Sequence, residues 1–181
     1  MTVAAPSFTI HKLDSTALAS NLEPVLNLSN LIFDTQSSRP THHSSLEEWS
    51  IRLSRPDSIL VYSTSSSSQY SPPRLSTSIS TDPAPVVLGF VFAHMKSDRT
   101  LPHPTLHIWL AGVSEDTRGT GVFAALMSKV EDHARSLSIG ALSVATFPAK
   151  YEKMYTILQK QGWEEREWTE RGRKVLMMKP I

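Results

Sequence analysis

The most constraining stretch of the chain runs from Thr105 to Leu137, where TLHIWLAGV is followed by SEDT and then by RGTGVFAALMSKVEDHARSL. The first part reads as a strand. Leu106, Ile108, Leu110 and Val113 are apolar, Trp109 lies between them, and Gly112 stands near the end. A run this apolar suits a central strand buried on both faces. The last part reads as a helix, because Phe123, Met127, Val130, Ala134 and Leu137 recur at i, i+4, i+7, i+11 and i+14 along one stripe. Between the two sits Arg118-Gly119-Thr120-Gly121. Glycines let a backbone approach a ligand closely, and the first turn of a helix leaves N–H groups unpaired. With the positive end of the helix dipole, those N–H groups make an anion site, most often for phosphate.

Around this centre the chain alternates elements. Residues 8–13 (FTIHKL) alternate apolar and polar and read as a first strand. Asp14 and Ser15 offer N-caps for a helix through Leu18, Leu22, Val25 and Leu26 to Ile32, which Pro24 would kink or divide. Asp34 to His43 is polar and turn-rich and reads as a loop. Ser44-x-x-Glu47 is a capping box for a helix with Leu46, Trp49 and Leu53 on one face, ended by Pro56. A second strand covers 58–63 and a third covers 86–95. Residues 64–85 between them are dominated by Ser, Thr and Pro; they bury too little to offset their ordering entropy and read as a mobile insertion.

After the central helix, 141–147 reads as a strand parallel to its predecessor, since a helical crossover joins the two. Pro148 precedes a helix that carries Tyr151, Met154, Tyr155 and Leu158 on one face, with Gly162 as its C-cap. Residues 163–169 and 174–179 pair as a closing hairpin around Glu170–Arg173. There is no repeat and no dividing linker, so residues 1–181 are expected to form a single domain.

Composition excludes several classes. The 181 residues are long enough for a sizeable core, and a formal net charge of +1 gives no strong field for nucleic acid or an acidic membrane surface. Cysteine is absent, which excludes disulfides, thiolate metal sites and an acyl-cysteine intermediate. His42-His43 and the His103/His107 pair lack metal-ligand spacing, so no metal is expected. Residues 1–15 show no basic region followed by a long apolar core, so no secretory signal is expected, and no stretch approaches the ~20 apolar residues of a membrane helix. The expected setting is cytoplasmic, with the nucleus also open to it; the oligomeric state is not legible.

The glycine turn is neither of the commonest phosphate motifs. No Gly-Lys-Ser/Thr follows it, and Gly119-Thr-Gly121-Val-Phe-Ala124 lacks the third glycine of a dinucleotide fingerprint. The bland alternative is a helix-capping turn without a ligand. Val113-Ser-Glu-Asp-Thr-Arg118-Gly119-Thr120-Gly121-Val122, however, resembles the acyl-CoA signature V-x-P-x-x-[RQ]-x-x-G-x-[GA] of the GNAT superfamily of N-acetyltransferases. Glu115 stands where Pro is usual, and Phe123 where the last Gly or Ala is usual.

The resemblance implies an α/β (α+β) fold. Its mixed, mostly antiparallel sheet of six to seven strands would be flanked by four helices, with a splayed parallel strand pair at the cofactor site. It also implies acetyl-CoA as cosubstrate, its pyrophosphate wrapped by Arg118, Gly119, Thr120, Gly121, Val122 and Phe123. The central strand would carry a bulge, which Gly112 tolerates. The backbone of Ala111 would face the thioester carbonyl, and Val113 would bind pantetheine.

The implied chemistry is direct attack of a primary amine on the thioester in a ternary complex. An alkylamine with a pKa of about 10.4 is protonated at neutral pH and needs a base. His107, six residues before Val113 where histone-acetylating relatives often place a Glu, is the candidate; the other reading is a histidine that merely packs within the sheet. The family often uses the Tyr of Y-x-x-x-G-F as acid, and here Leu158 takes that place. Tyr155, one turn earlier, is the candidate acid, with Tyr151 a further turn back; both would otherwise be core. A thiolate with a pKa of about 8.5 can also leave unassisted. A small-molecule amine is the expected acceptor. The alternatives are a non-catalytic acyl-CoA-binding or sensing module and a protein or peptide N-acetyltransferase.

Overall fold

The computed structural model describes residues 7–17, 19–33, 45–65, 86–97, 101 and 103–181. In chain order the elements are β1 (Phe8–Leu13), α1 (Ala19–Phe33), α2 (Leu46–Leu53), β2 (Ile59–Ser65), β3 (Val87–Lys96) and β4 (Thr105–Val113). A single 3-10 turn (Glu115–Thr117) follows, then α3 (Val122–Ser136), β5 (Ala141–Thr146), α4 (Glu152–Lys160), β6 (Glu164–Thr169) and β7 (Lys174–Pro180). The strands form a seven-stranded sheet in the order β1-β2-β3-β4-β5-β7-β6. Every neighbouring pair is antiparallel except β4 and β5, which the α3 crossover makes parallel. The expected architecture, strand count and helix count are all present.

Two layers of helices cover the sheet. On one face Leu22, Val25 and Leu26 of α1 and Trp49 and Leu53 of α2 pack on Leu60, Phe90, Phe92 and Leu110. On the other, Val122, Leu126, Met127, Val130 and Ala134 of α3, with Leu158 of α4, pack on Val61, Val91, Leu106, Ile108, Leu142 and Met177. β4 therefore contributes to both cores, as its unbroken apolar run requires.

Several local expectations are corrected. Helix α1 runs through Pro24 without being divided, because the carbonyl that loses a donor there is that of exposed Ser20. The N-cap of α2 is Ser45, whose hydroxyl accepts from Glu48 N–H at 3.4 Å; Ser44 lies outside the described residues. Thr64 and Ser65 belong to β2, and 66–85 of the expected insertion lie outside the described residues. Leu137 is not on the buried stripe of α3 but caps it, 37% exposed. Ser138 (φ 57) turns the chain back so that Ile139 N–H reaches Ala134 O at 2.9 Å and Ile139 enters the core in its place.

The bulge of β4 is not at Gly112. Phe92 faces Leu110 and Ala93 faces Ile108, which leaves Trp109 as the extra residue. Its ring is held by Phe92 at 5.1 Å and Trp49 at 5.9 Å, with the Arg52 guanidinium 4.2 Å above it. Gly112 serves a different purpose: a Cβ there would meet Ile32 Cδ1 at 2.7 Å, so its hydrogen lets α1 lie close on the sheet. The bulge also flips strand parity. His107 lies on the α1/α2 face, whereas Ala111 and Val113 pack with the α3/α4 core.

Candidate active site

Strands β4 and β5 stay paired only from Leu106↔Leu142 to Ile108↔Val144. Beyond that point β4 continues as Trp109–Val113, bonded to β3 alone, while β5 turns to β7. Alternate N–H and C=O groups of Trp109–Val113 therefore point into the gap that β5 has left. Ala111 and Val113 lie along this stretch, which is where the resemblance puts the thioester and pantetheine.

The gap leads to the glycine turn. The β4 end is pinned to β3 by Ser114 N–H, which donates to Leu88 O at 2.8 Å, and by the buried Thr117 hydroxyl, which donates to the same oxygen at 3.3 Å. Leu88 can receive both because it is the extra residue between Ser63↔Gly89 and Thr64↔Val87, a bulge in β3. The Thr120 hydroxyl closes the turn by donating to Thr117 O at 2.6 Å. Gly119 (φ 80) and Gly121 (φ 89) then take left-handed conformations, and a Cβ at either would meet nothing within 4 Å. Gly121 is the N-cap of α3.

The first helical backbone bond runs from Ala125 N–H to Gly121 O at 3.0 Å. Ahead of it, the N–H groups of Val122, Phe123 and Ala124 are the unpaired set that any helix start presents. Phe123 is half-buried against the α3/α4 core, so its ring leaves the turn open. Arg118 immediately precedes the glycine turn, its half-exposed side chain 3.9 Å from Glu115 Oε1. Open glycines, unpaired N–H groups and a cation fit the diphosphate of an acyl-CoA.

At the mouth of the gap His107 is buried, 9% exposed, and its Nδ1 lies 2.9 Å from Ser143 Oγ. Ser143 Oγ is in turn 2.6 Å from Thr105 Oγ1. His94 on β3 faces His107 in register, the two rings 5.8 Å apart and edge to face. Burial holds the His94 imidazole below its ordinary pKa, and Arg52 and Arg55 push it the same way. This polar cluster escaped the sequence reading. Its signal was Ser143, a polar residue in the middle of the mostly apolar strand β5.

The two tyrosines part company. The Tyr155 hydroxyl donates to Glu165 Oε1 and accepts from Gln159 Nε2 at 2.9 Å, so it faces β6 at the edge of the sheet. The Glu165 carboxylate raises its pKa. Tyr151, the N-cap of α4, instead packs edge to face on Phe33 at the end of α1, with ring centroids 6.2 Å apart. Among the described residues no group of three metal-ligating side chains occurs, and no helix is long and apolar enough to cross a membrane.

No curated protein sequence matches the chain. Among solved structures it is similar to an aminoglycoside acetyltransferase from an uncultured soil metagenomic sample, with a TM-score of 0.64 and 14% identity over 90% of this chain and 95% of that one. It is also similar to a ribosomal-protein-alanine N-acetyltransferase from Escherichia coli, with a TM-score of 0.59 and 14% identity over 97% and 94%. A third is the IAA acetyltransferase from Bacillus cereus, with a TM-score of 0.56 and 11% identity over 97% and 100%. At such identities the likeness is one of fold. The sequence model of the Acetyltransferase (GNAT) family matches residues 37–163, which take in the parallel pair, the gap and the glycine turn. The chain belongs to the GNAT family of acetyltransferases.

Proposed function

We propose that this acetyltransferase moves the acetyl group of acetyl-CoA to the primary amine of a small molecule by direct attack in a ternary complex. The observation that carries the reading is the end of β4–β5 pairing at Ile108↔Val144, with the open Gly119–Gly121 turn at the far end of the gap. When bound, acetyl-CoA supplies the acetyl group as a thioester. Residues 118–123 hold its diphosphate, with the glycines giving room and Arg118 and the α3 N-terminus giving positive potential. The freed backbone of Ala111–Val113 aligns the pantetheine arm and offers N–H donors to the carbonyl oxygen as negative charge gathers there.

The amine enters from the α1/α2 face, because the α3 face is taken by the diphosphate site. His107 is a titratable side chain at that mouth, with His94 beside it, and is the candidate base for the amine proton. Tyr151 is the preferred acid over Tyr155, whose proton Glu165 already engages. Among the described residues the charged groups that act on His94 are Arg52, Arg55, Asp57 and Lys96, which do not make the acidic groove a basic protein tail requires. That favours a small acceptor.

The test is release of free CoA thiol from acetyl-CoA across a panel of small amines and peptides. Turnover with one or more small amines and none with peptides is expected. Turnover with peptides alone would reassign the acceptor. If CoA raises the melting temperature while no amine is acetylated, the chain is a sensing module and the enzymatic reading fails.

A further inference from the structure

Helix α3 packs over β2, β3, β4 and β5. Between its C-terminal half and the edge strand β1 a groove of about 370 Å³ opens, an ordinary volume for a small-molecule site. We infer that this groove binds a small amphipathic carboxylate, its hydrocarbon part on the sheet and its anionic end between Lys12 and Lys129. The groove begins seven residues past Val122, about 10 Å along α3 from the glycine turn. The inference therefore does not rest on the acetyltransferase reading.

The periods of strand and helix build the site. Ile10 packs with the α3/α4 core, and Lys12, two residues on, shares that face of β1. Ile59 and Val61 of β2, each 1% exposed, form an apolar floor. On α3, Lys129, Asp132, His133 and Ser136 recur at i, i+3, i+4 and i+7, one stripe along the groove. An apolar floor between polar walls suits a ligand with a hydrocarbon part and one charged end. A free phosphate would meet the lysines but leave the floor to water.

Charge sets the sign of the ligand. Lys12 and Lys129 share the groove with one carboxylate, that of Asp132. Arg135 donates to Asp132 Oδ1 at 3.2 Å, and Lys129 Nζ is 4.0 Å from Oδ2, so the two ammonium groups outweigh it. His133 stands in the same wall, and its Nε2 is buried without a hydrogen-bond partner. Burial and the nearby Lys12 hold this imidazole below its ordinary pKa, against the opposite pull of Asp14. An unmet buried nitrogen is costly, and a turn of the ring about its Cβ–Cγ bond that lets it donate to a carboxylate oxygen removes the cost.

The probe is hexanoate, titrated into the ¹⁵N-labelled full chain and followed by amide shifts. Saturable shifts over residues 10–12 and 129–136 are expected. Hexan-1-ol, with the same hydrocarbon part and no charge, should bind about fivefold more weakly, the size of two partly exposed ion pairs. Inorganic phosphate should leave these amides unmoved. Lys12→Gln should weaken hexanoate about threefold and leave hexan-1-ol unchanged, in a chain that melts like the wild type. Lys129→Gln makes the same test should the first variant not fold.

Absence of saturation at these residues, or shifts seated at the glycine turn instead, would overturn the inference. So would equal affinity for hexanoate and hexan-1-ol, which would leave the lysines without a role, or phosphate binding as tightly as hexanoate, which would leave the floor without one. Shifts in the groove that grow with protein concentration alone would place a second copy of the chain there and overturn it equally. None of these outcomes bears on acetyl transfer, which the release of CoA thiol measures separately.

Discussion

Replacing Gly121 with alanine separates the conformational role of the glycine turn from its binding role. Gly121 has φ 89, where an L side chain is strained, and the added Cβ would meet nothing within 4 Å. The cost to folding is therefore backbone strain alone, about 1–2 kcal/mol. A gain of about 0.4–1 kcal/mol from stiffening the unfolded chain offsets part of it. The net loss is about 1 kcal/mol, a fall of roughly 2–4 °C in melting temperature for a chain of this size. Gly162, at the end of α4, is a matched control, with φ 81 and the same empty surroundings. Gly162→Ala should lose the same stability. Only Gly121→Ala places a methyl group at the proposed diphosphate site, so only it should weaken CoA binding, by tenfold or more, about 1.4 kcal/mol. Urea unfolding and calorimetric titration with CoA measure the two quantities on each variant. Unaltered CoA affinity in Gly121→Ala, or an equal loss in both variants, would refute the assignment of the turn to the diphosphate.

Other consequences are equally open to measurement. Burial holds the imidazoles of His94 and His133 below their ordinary pKa, so an unfolded chain takes up protons near pH 6.5 that the folded one refuses. Stability should therefore fall as pH drops from 7.5 through 6.5 to 5.5, and His94→Gln should flatten the slope in urea titrations; an unaltered slope would contradict the burial argument. Tyr155→Phe should keep kcat within about twofold while Tyr151→Phe lowers it by about a hundredfold or more, a general-acid effect of the usual size. If neither variant slows steady-state turnover, the thiolate leaves without an acid. Trp49→Ala, which empties the site shared by Phe90, Phe92 and Trp109, should cost about 3–5 kcal/mol in urea unfolding. A loss under 1 kcal/mol would mean that the bulge does not depend on it.

The parts of this architecture legible from sequence are those set by local chemistry. The apolar run of β4, the helical crossover that makes β5 parallel, and Gly119, Gly121 and Gly162 at positive φ all follow from residue type and spacing. What was not legible depends on partners far away in the chain. The bulge falls at Trp109 because Trp49, Phe92 and Arg52 grip its ring from α2 and β3, and no local signal marks it. Gly112 suggests a bulge by its type, yet it answers to Ile32 of α1. The helix cap moved by one residue because Ser44-Ser45-Leu46-Glu47-Glu48 reads as a capping box in two registers. Leu137 fits the helical stripe, but the left-handed turn at Ser138 hands its place to Ile139. The Thr105–Ser143–His107 chain joins β4 to β5 and exists only once the parallel register is formed.

The central claim is that one gap in the sheet and the turn at its end hold acetyl-CoA. A crystal structure of the chain with acetyl-CoA tests it most directly. The account predicts diphosphate oxygens about 2.7–3.2 Å from N–H groups within residues 119–124. It also predicts the pantetheine arm lying between Trp109–Val113 and β5. A diphosphate bound elsewhere, or β5 found hydrogen-bonded to β4 all the way to Val113 with no room between them, would contradict it.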